Sequence, residues 1–493
     1  MASEAEQIIK HGWLFMVANV VNRAAGLLLL PLYTKVLSPA QFGVYSLISV
    51  VGDILAVMLM IGMINAFTVV YFEHPDEAGR RRVVGTTMIG LWSATLGLLA
   101  LAWPVGLGIS EALFGNGGEA AVVAVAFASI AFSTVFELAL AYYRVHRRSG
   151  TCLMISIGKA GGLLVLNLLF VWWLDWGVAG IFLANGITFV ALGVLLTVAI
   201  LAANGVSFSF GILKRVGMLG LPFMPQTLLD IGNQFVLRYL LNILMGIAAV
   251  GVLSFGMRLA TLLYMFLTAS FLQIWSVARI EAQHRAADRD QAEFVFYFFI
   301  VLLTAAALGM ALISPEILWL IASPDYAPVL ACMPLLVLTY TLHGVRMHPE
   351  VALVKTKRVG VLPLISLGGI AVGTALAALL IGPLGVLGAA IGVVGRELFM
   401  LVATELVCRR LCPQELPLHP GQVLGVLVPA AIAYAVSLEL FGHAVDPAYV
   451  AAKVGLTMLA AIAAVFGPGF SRTDRAILFR MVGRVLRRPQ PAA

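Results

Sequence analysis

Charge is scarce in this chain: Asp, Glu, Lys and Arg make up 11% of its 493 residues, less than half of the roughly 25% usual in soluble domains. That shortage excludes a water-soluble globular protein, because too little polar surface exists to cover so large an apolar mass. Cysteine is scarce as well. Cys152, Cys332, Cys408 and Cys412 are the four present, and three lie at or near the side assigned below to the cytoplasm, so no disulfide framework is implied. Cys408 and Cys412 form a C-x3-C at a helix end with no His or acidic set nearby, and read as two unconnected thiols rather than a metal site. The sequence calls for no metal and no cofactor. Long loops are missing too. A membrane polysaccharide polymerase or lipid-dependent glycosyltransferase needs a sizeable loop or domain that presents catalytic carboxylates, and no outer loop here is long or holds paired acids.

What the chain has is apolar length. Hydrophobic residues make up 61%, the mean hydropathy is +1.01, and runs of about 20 apolar residues, each enough to cross a hydrocarbon core as a helix, recur from Trp13 to Phe466. The first run, Trp13 to Leu37, is too long for a signal-peptide core, carries Asn19, Asn22 and Arg23, and lacks a small-residue cleavage site, so it is read as a retained span. The runs and their polar breaks predict spans at 12–35, 41–64, 83–107, 120–143, 151–173, 178–202 and 218–244. They continue at 248–276, 293–321, 327–349, 359–381, 385–407, 421–441 and 449–467. The expected fold is an all-α polytopic membrane protein of about fourteen transmembrane helices.

The net charge of +7 follows the same plan rather than pointing to nucleic acid. Arg80–Arg82, Arg144 with Arg147 and Arg148, Lys214 with Arg215, and Arg279, Arg285 and Arg289 fall on one side. So do Lys355, Lys357 and Arg358, then Arg409 and Arg410, and a tail with Arg472, Arg475, Arg480, Arg484, Arg487 and Arg488. The opposite breaks at Leu174–Gly177, Met245–Ala248, Ser323–Ala327 and Gly382–Gly385 have no Lys or Arg, and only those near Lys35 and Lys453 hold a Lys. The positive-inside rule then places both termini in the cytoplasm, with the basic tail near anionic lipid. Tyr33, Trp103, Tyr142, Tyr143, Trp172, Trp173 and Trp176 are read as an interfacial aromatic belt.

A shift of 208 residues aligns two segments at once. Phe42-Gly43-Val44-Tyr45-Ser46 falls on Val250-Gly251-Val252-Leu253-Ser254, and Gly177-Val178-Ala179-Gly180 falls on Gly385-Val386-Leu387-Gly388. The same shift puts Arg147-Arg148 over Lys355-Thr356-Lys357. Copies separated by an even number of spans share an orientation, which implies a parallel repeat with a substrate path between halves. The expected organisation is an N-terminal lobe over 1–204, a C-terminal lobe over 205–413, two further helices over 414–470 and a basic tail over 471–493. Two six-helix lobes would thus surround a central cavity.

Ionisable groups within spans are costly and mark cavities or partners. The first span carries Asn19, Asn22 and Arg23 on one face, and the seventh carries Gln226, Asp230, Asn233, Gln234, Arg238 and Asn242 along a broader band. Both are expected to line the cavity. Asp53, Glu137, Lys159, Arg258, His343, Arg346, Glu350, Arg396, Glu397 and Glu405 are the other intramembrane charges. Glu137, Lys159, Glu350 and Glu405, near cytoplasmic ends, are read as structural ion pairs, and the neighbours Arg396 and Glu397 are expected to point in different directions. Arg23, Arg238 and Arg258, farther from helix ends, are assigned to the cavity with Asn19, Asn22 and Gln234. Several arginines on one cavity suit an anionic substrate, since guanidinium keeps its charge and grips phosphate bidentately. Asp53 and Asp230 are the candidates for coupling to H+ or Na+, because a carboxylate alternating between wet and dry surroundings changes its protonation.

This pattern resembles the polysaccharide transporter family, the O-antigen and exopolysaccharide flippases of the multidrug/oligosaccharidyl-lipid/polysaccharide superfamily. The likeness rests on Leu30-Pro31-Leu32-Tyr33-Thr34-Lys35-Val36-Leu37-Ser38-Pro39-Ala40-Gln41-Phe42-Gly43-Val44-Tyr45, on Gly220-Leu221-Pro222, on Val354-Lys355-Thr356-Lys357-Arg358, and on Gly382-Pro383-Leu384-Gly385-Val386-Leu387-Gly388-Ala389-Ala390. It covers the chain through the twelfth span and, more weakly, the last two. The family's adjacent acidic-basic pair in span seven is absent: Leu237 precedes Arg238, and Asp230 lies two turns earlier. The resemblance implies a bacterial inner-membrane flippase that carries an undecaprenyl-diphosphate-linked oligosaccharide between leaflets by alternating access. Polysaccharide-assembly proteins are conceivable membrane partners. A multidrug antiporter of the same superfamily, expected to have twelve spans and an acidic cavity, and a lipid II flippase, differing only in cargo, are the rival readings.

Overall fold

The computed structural model describes residues 26, 28–60, 62–272, 275, 286–413 and 418–486. Among them there are seventeen α-helices and no strand, as a bilayer demands, because a helix satisfies its backbone polar groups within itself. Twelve helices among the described residues are long and apolar enough to cross a membrane. They correspond to the second to sixth and the eighth to fourteenth of the expected runs. The first run lies mostly outside the described residues. The seventh is present as a helix but falls short in apolarity because of its six polar side chains.

The chain divides into two compact units, Met1–Gly251 and Val252–Ala493. The first holds α1 (Pro39–Met60), α2 (Met63–Glu73), α3 (Glu77–Phe114), α4 (Ala120–Val145), α5 (Ser149–Asn167), α6 (Gly177–Asn204), α7 (Phe210–Gly220), α8 (Met224–Met245) and the start of α9 (Ile247–Leu263). The helices overrun the expected spans into the polar margins. Thus α3 begins at Glu77, where the Asp76 carboxylate accepts the Gly79 N–H and caps the open turn. Part of the inner loop expected at Gly205–Gly217 folds as α7. It is held by Arg215, which donates to both carboxylate oxygens of Glu73 at 2.8 and 2.9 Å. Packing in lipid relies on close fit rather than on expulsion of water, and a core of Phe67, Val84, Leu138, Tyr142, Cys152 and Val216 ties α2, α3, α4, α5 and α7 together.

The second unit contains the rest of α9, then α10 (Ala286–Leu312), α11 (Ser314–Ile321), α12 (Val329–Lys355), α13 (Leu362–Leu384), α14 (Val386–Leu411), α15 (Pro420–Phe441), α16 (Pro447–Phe466) and α17 (Arg472–Leu486). The basic tail is therefore helical up to Leu486. Its Arg475 donates to the carbonyls of Val465, Gly467 and Phe470 and so closes the end of α16.

Backbone geometry recurs at the spacing seen in the sequence. Gly177 and Gly385 both open a helix at positive φ, 52° and 61°, a region where only glycine escapes the Cβ penalty. After α4, the amides of Arg147 and Arg148 donate to Arg144 and Tyr143; after α12, those of Lys357 and Arg358 donate to Val354 and Leu353. Arg147 and Lys357 sit at φ 55° and 60°, the left-handed residue of a Schellman helix ending. The basic loops thus correspond at a shift of 210 residues, two more than the sequence match gave them. Within the first unit, a Cβ on Gly43 would overlap the Ile247 carbonyl oxygen, and one on Gly251 would overlap the Pro39 carbonyl oxygen. Gly43 and Gly251, and likewise Pro39 and Ile247, stand 208 residues apart, so the two contacts are reciprocal.

The aromatic belt is only partly interfacial. Trp103, Trp172, Trp173 and Trp176 are exposed, but Tyr33, Tyr142 and Tyr143 are buried. Their hydroxyls explain the correction: Tyr33 donates to Asn167 at 2.8 Å and Tyr142 accepts from Asn204 at 2.9 Å, so a polar tip that needs a partner finds it inside the protein. All four cysteines are buried free thiols.

Candidate functional site

The polar band expected on span seven is organised in the first unit along α8. Thr227, Asp230 and Gln234 follow one another at intervals of three and four residues, the spacing of a single helix face, and all three are exposed. Arg238 extends this stripe by one more turn but is buried, 6% exposed. Its Nε donates to the Ser46 hydroxyl of α1 at 3.0 Å, and Nη1 donates to the Gln234 carbonyl at 3.1 Å with the Gln234 side-chain oxygen at 3.5 Å. Ser46 was not singled out from the sequence, although it closes the repeated Phe42–Ser46 segment that carried the signal. Asn242, one turn further along α8, donates to the Leu113 carbonyl at 3.0 Å.

The two contacts between α1 and its neighbours fix the direction in which these helices run. Gly43 meets Ile247, two residues past the end of α8, and Ser46 meets Arg238 within it, so numbers rise on α1 as they fall along α8, and the pair is antiparallel. Asp53 lies seven residues beyond Ser46 and Asp230 eight before Arg238, or about 10–12 Å along each axis at 1.5 Å per residue. Both ion-coupling candidates therefore stand at the same level of adjacent antiparallel helices, and both are exposed. Arg258 is half-buried on α9 in the second unit. Asn19, Asn22 and Arg23 lie outside the described residues, as does the side chain of Gln226.

The structural pairs expected near the cytoplasmic ends are present. Glu137 binds Arg144 at 3.3 Å and Lys159 at 3.8 Å, with the ammonium also over the rings of Phe136 and Phe189. Glu405 binds Arg409 at 2.6 Å, and Glu350 binds Arg346 at 2.7 Å. Arg346 belongs to a larger cluster between α12 and α14. Its Nε lies 3.4 Å from Glu397 Oε2, and Arg396 Nη1 lies 3.1 Å from Glu397 Oε1. The adjacent residues Arg396 and Glu397 thus do not diverge, because the long guanidinium arm folds back onto its neighbour. A pair that the sequence did not reveal joins α11 to α16: Lys453, 1% exposed, binds Glu316 at 2.6 Å. The signal available was a lone Lys in an apolar helix, which cannot stay in lipid without an acid.

Comparison with known proteins places this geometry in a fold. No family model matches the sequence, and no curated protein matches it either. Solved structures do. A lipid II flippase, MurJ, in an inward closed conformation is 13% identical with a TM-score of 0.73, over 96% of this chain and 100% of its own. An inward-facing multidrug resistance MATE transporter of the MOP superfamily is 17% identical with a TM-score of 0.64, over 80% of this chain and 93% of its own. A MOP superfamily transporter from Pyrococcus furiosus, whose reversed binding-pocket polarity is described as suggesting a different function, is 15% identical with a TM-score of 0.57, over 82% of this chain and 95% of its own. The chain is a multi-pass membrane protein with the fold of these MOP superfamily transporters.

Proposed function

We propose that this protein is a flippase that moves an undecaprenyl-diphosphate-linked oligosaccharide from the cytoplasmic to the periplasmic leaflet of a bacterial inner membrane. The observation that carries this reading is the extent of the structural likeness. The flippase of a lipid-linked substrate is matched over 96% of this chain, whereas the multidrug transporter is matched over 80%. This chain thus shares with a lipid-cargo flippase a part of the fold that the drug transporter leaves unmatched.

The chemistry of α8 agrees with that cargo. An exposed stripe of Thr227, Asp230 and Gln234, ending on Arg238, would be costly against lipid tails and offers donors and acceptors to sugar hydroxyls. Arg238, with Arg23, Arg258, Asn19 and Asn22, would meet the diphosphate, and Asp53 and Asp230 would exchange H+ or Na+ to drive the cycle. In this reading the lobes 1–204 and 205–413 rock about the cavity, both termini are cytoplasmic, and the residues from 414 add two helices and a basic tail.

The test follows lipid-linked oligosaccharide in cells lacking the protein, using a membrane-impermeant sugar-modifying enzyme on spheroplasts. Shielded oligosaccharide that becomes exposed on re-expression supports the flippase. Unchanged exposure, together with recovered efflux of cationic drugs, would hand the chain to the multidrug antiporter reading.

A further inference from the structure

The cluster in the second unit is more than a staple, because one of its atoms faces two partners that demand opposite protonation states. His343 Nδ1 lies 2.9 Å from Arg346 Nη2 and 3.6 Å from Glu397 Oε2. A guanidinium nitrogen can only donate, so in this hydrogen bond Nδ1 accepts, and the bond geometry assigns a ring proton to Nε2. A proton arriving on Nδ1 would turn that acceptor into a donor. It would set two donors against each other at Arg346 and give the ring a new acceptor in Glu397.

The surroundings make the exchange consequential. On its own helix, α12, His343 faces Arg346, which is bound to Glu350. From α14 it faces Glu397, bound in turn to Arg396. From the π-helical turn Tyr264–Thr268 that follows α9, the Tyr264 ring meets it edge-on at 5.4 Å. With the imidazole neutral, the guanidiniums of Arg346 and Arg396 balance the carboxylates of Glu350 and Glu397; a proton leaves this group of side chains at +1. Glu397 and Arg346 are nearly buried, with side chains 5% and 9% exposed, while that of His343 is 23% exposed. The carboxylate is therefore enclosed, whereas the imidazole keeps an open edge.

We propose that His343 is a proton-binding site, and that its protonation transfers Glu397 from Arg346 to the imidazolium and loosens α12 from α14. This inference concerns the second unit alone and holds whatever the cargo. Neither Asp53 nor Asp230 takes part in it.

The experiment is hydrogen–deuterium exchange over residues 340–352 and 390–400 in full-length protein in nanodiscs, at pH 8 and pH 5, corrected for intrinsic rates. Two variants accompany the wild type. His343→Asn keeps an acceptor near the position of Nδ1 but cannot take the proton. His343→Lys supplies a fixed cation. The expected result is exchange several-fold faster at pH 5 in the wild type, no such change in His343→Asn, and the fast pattern already at pH 8 in His343→Lys. A wild type equally protected at both pH values, or an acid response retained in His343→Asn, overturns the proposal. Should His343→Asn fail to insert, His343→Lys decides alone: slow exchange at pH 8 rejects the switch.

Discussion

The stripe on α8 in the first unit and the cluster between α12 and α14 in the second are both polar islands in an apolar chain, yet they are built in opposite ways. Along α8, Thr227, Asp230 and Gln234 are exposed, and Arg238 is seated on a hydroxyl and a backbone carbonyl. Between α12 and α14, Arg346 and Glu397 are buried and ion-paired with each other and with Glu350 and Arg396 respectively. Exposed polar groups at membrane depth need water or cargo; enclosed ones need only one another. In the proposed reading the first island serves transport and the second couples helices.

The sharpest way to break it is Glu397→Gln, which leaves Arg346 and Arg396 short of a buried anion. Removing one partner of a buried ion pair costs about 3–5 kcal/mol, so thermal unfolding in nanodiscs is expected to fall steeply. A variant as stable as the wild type would show the cluster to be solvated. Lys453→Met probes a second enclosed pair and is expected to cost about 3 kcal/mol. Adding Glu316→Gln to it should recover most of that loss, whereas additive losses would separate the two residues energetically.

Gly251→Val tests the close crossing of α1 and α9. The added side chain meets the Pro39 carbonyl, and overpacking of this kind costs about 1–3 kcal/mol. Gly43→Val should behave alike, and a clear difference between the two would break the reciprocity of the contact. The smallest effect is expected at Asp76, outside the spans. The backbone N–H of Gly79 holds its carboxyl below the ordinary 3.8, so the capped carboxylate stabilises α3 above that value and loses the contribution as pH falls through its lowered one. Melting curves of the wild type and Asp76→Ala should differ at pH 7 and converge in acid.

Much of this was legible in the sequence, for reasons that also mark where legibility ends. The apolar runs set the helices because a bilayer permits little else, and the shift of 208 found Gly43, Gly251, Gly177 and Gly385 because backbone contacts and positive φ leave glycine no substitute. The polar face of α8 could be read from spacing alone. Pairing could not. Whether Arg238 meets Ser46, or Lys453 meets Glu316, depends on which helices are neighbours, and one-dimensional spacing does not encode that. Tyr33 and Tyr142 misled for the same reason: an amphipathic ring suits a lipid interface and a buried hydrogen bond equally well.

The most direct test of the central claim is leaflet exposure of the lipid-linked oligosaccharide in cells carrying Asp230→Leu/Gln234→Leu, compared with cells carrying the wild type at equal membrane abundance. The account predicts normal insertion, since both side chains are exposed, and at least a tenfold loss of exposed oligosaccharide. Wild-type exposure from that variant would contradict it, because the open face of α8 would then have no part in carrying the cargo.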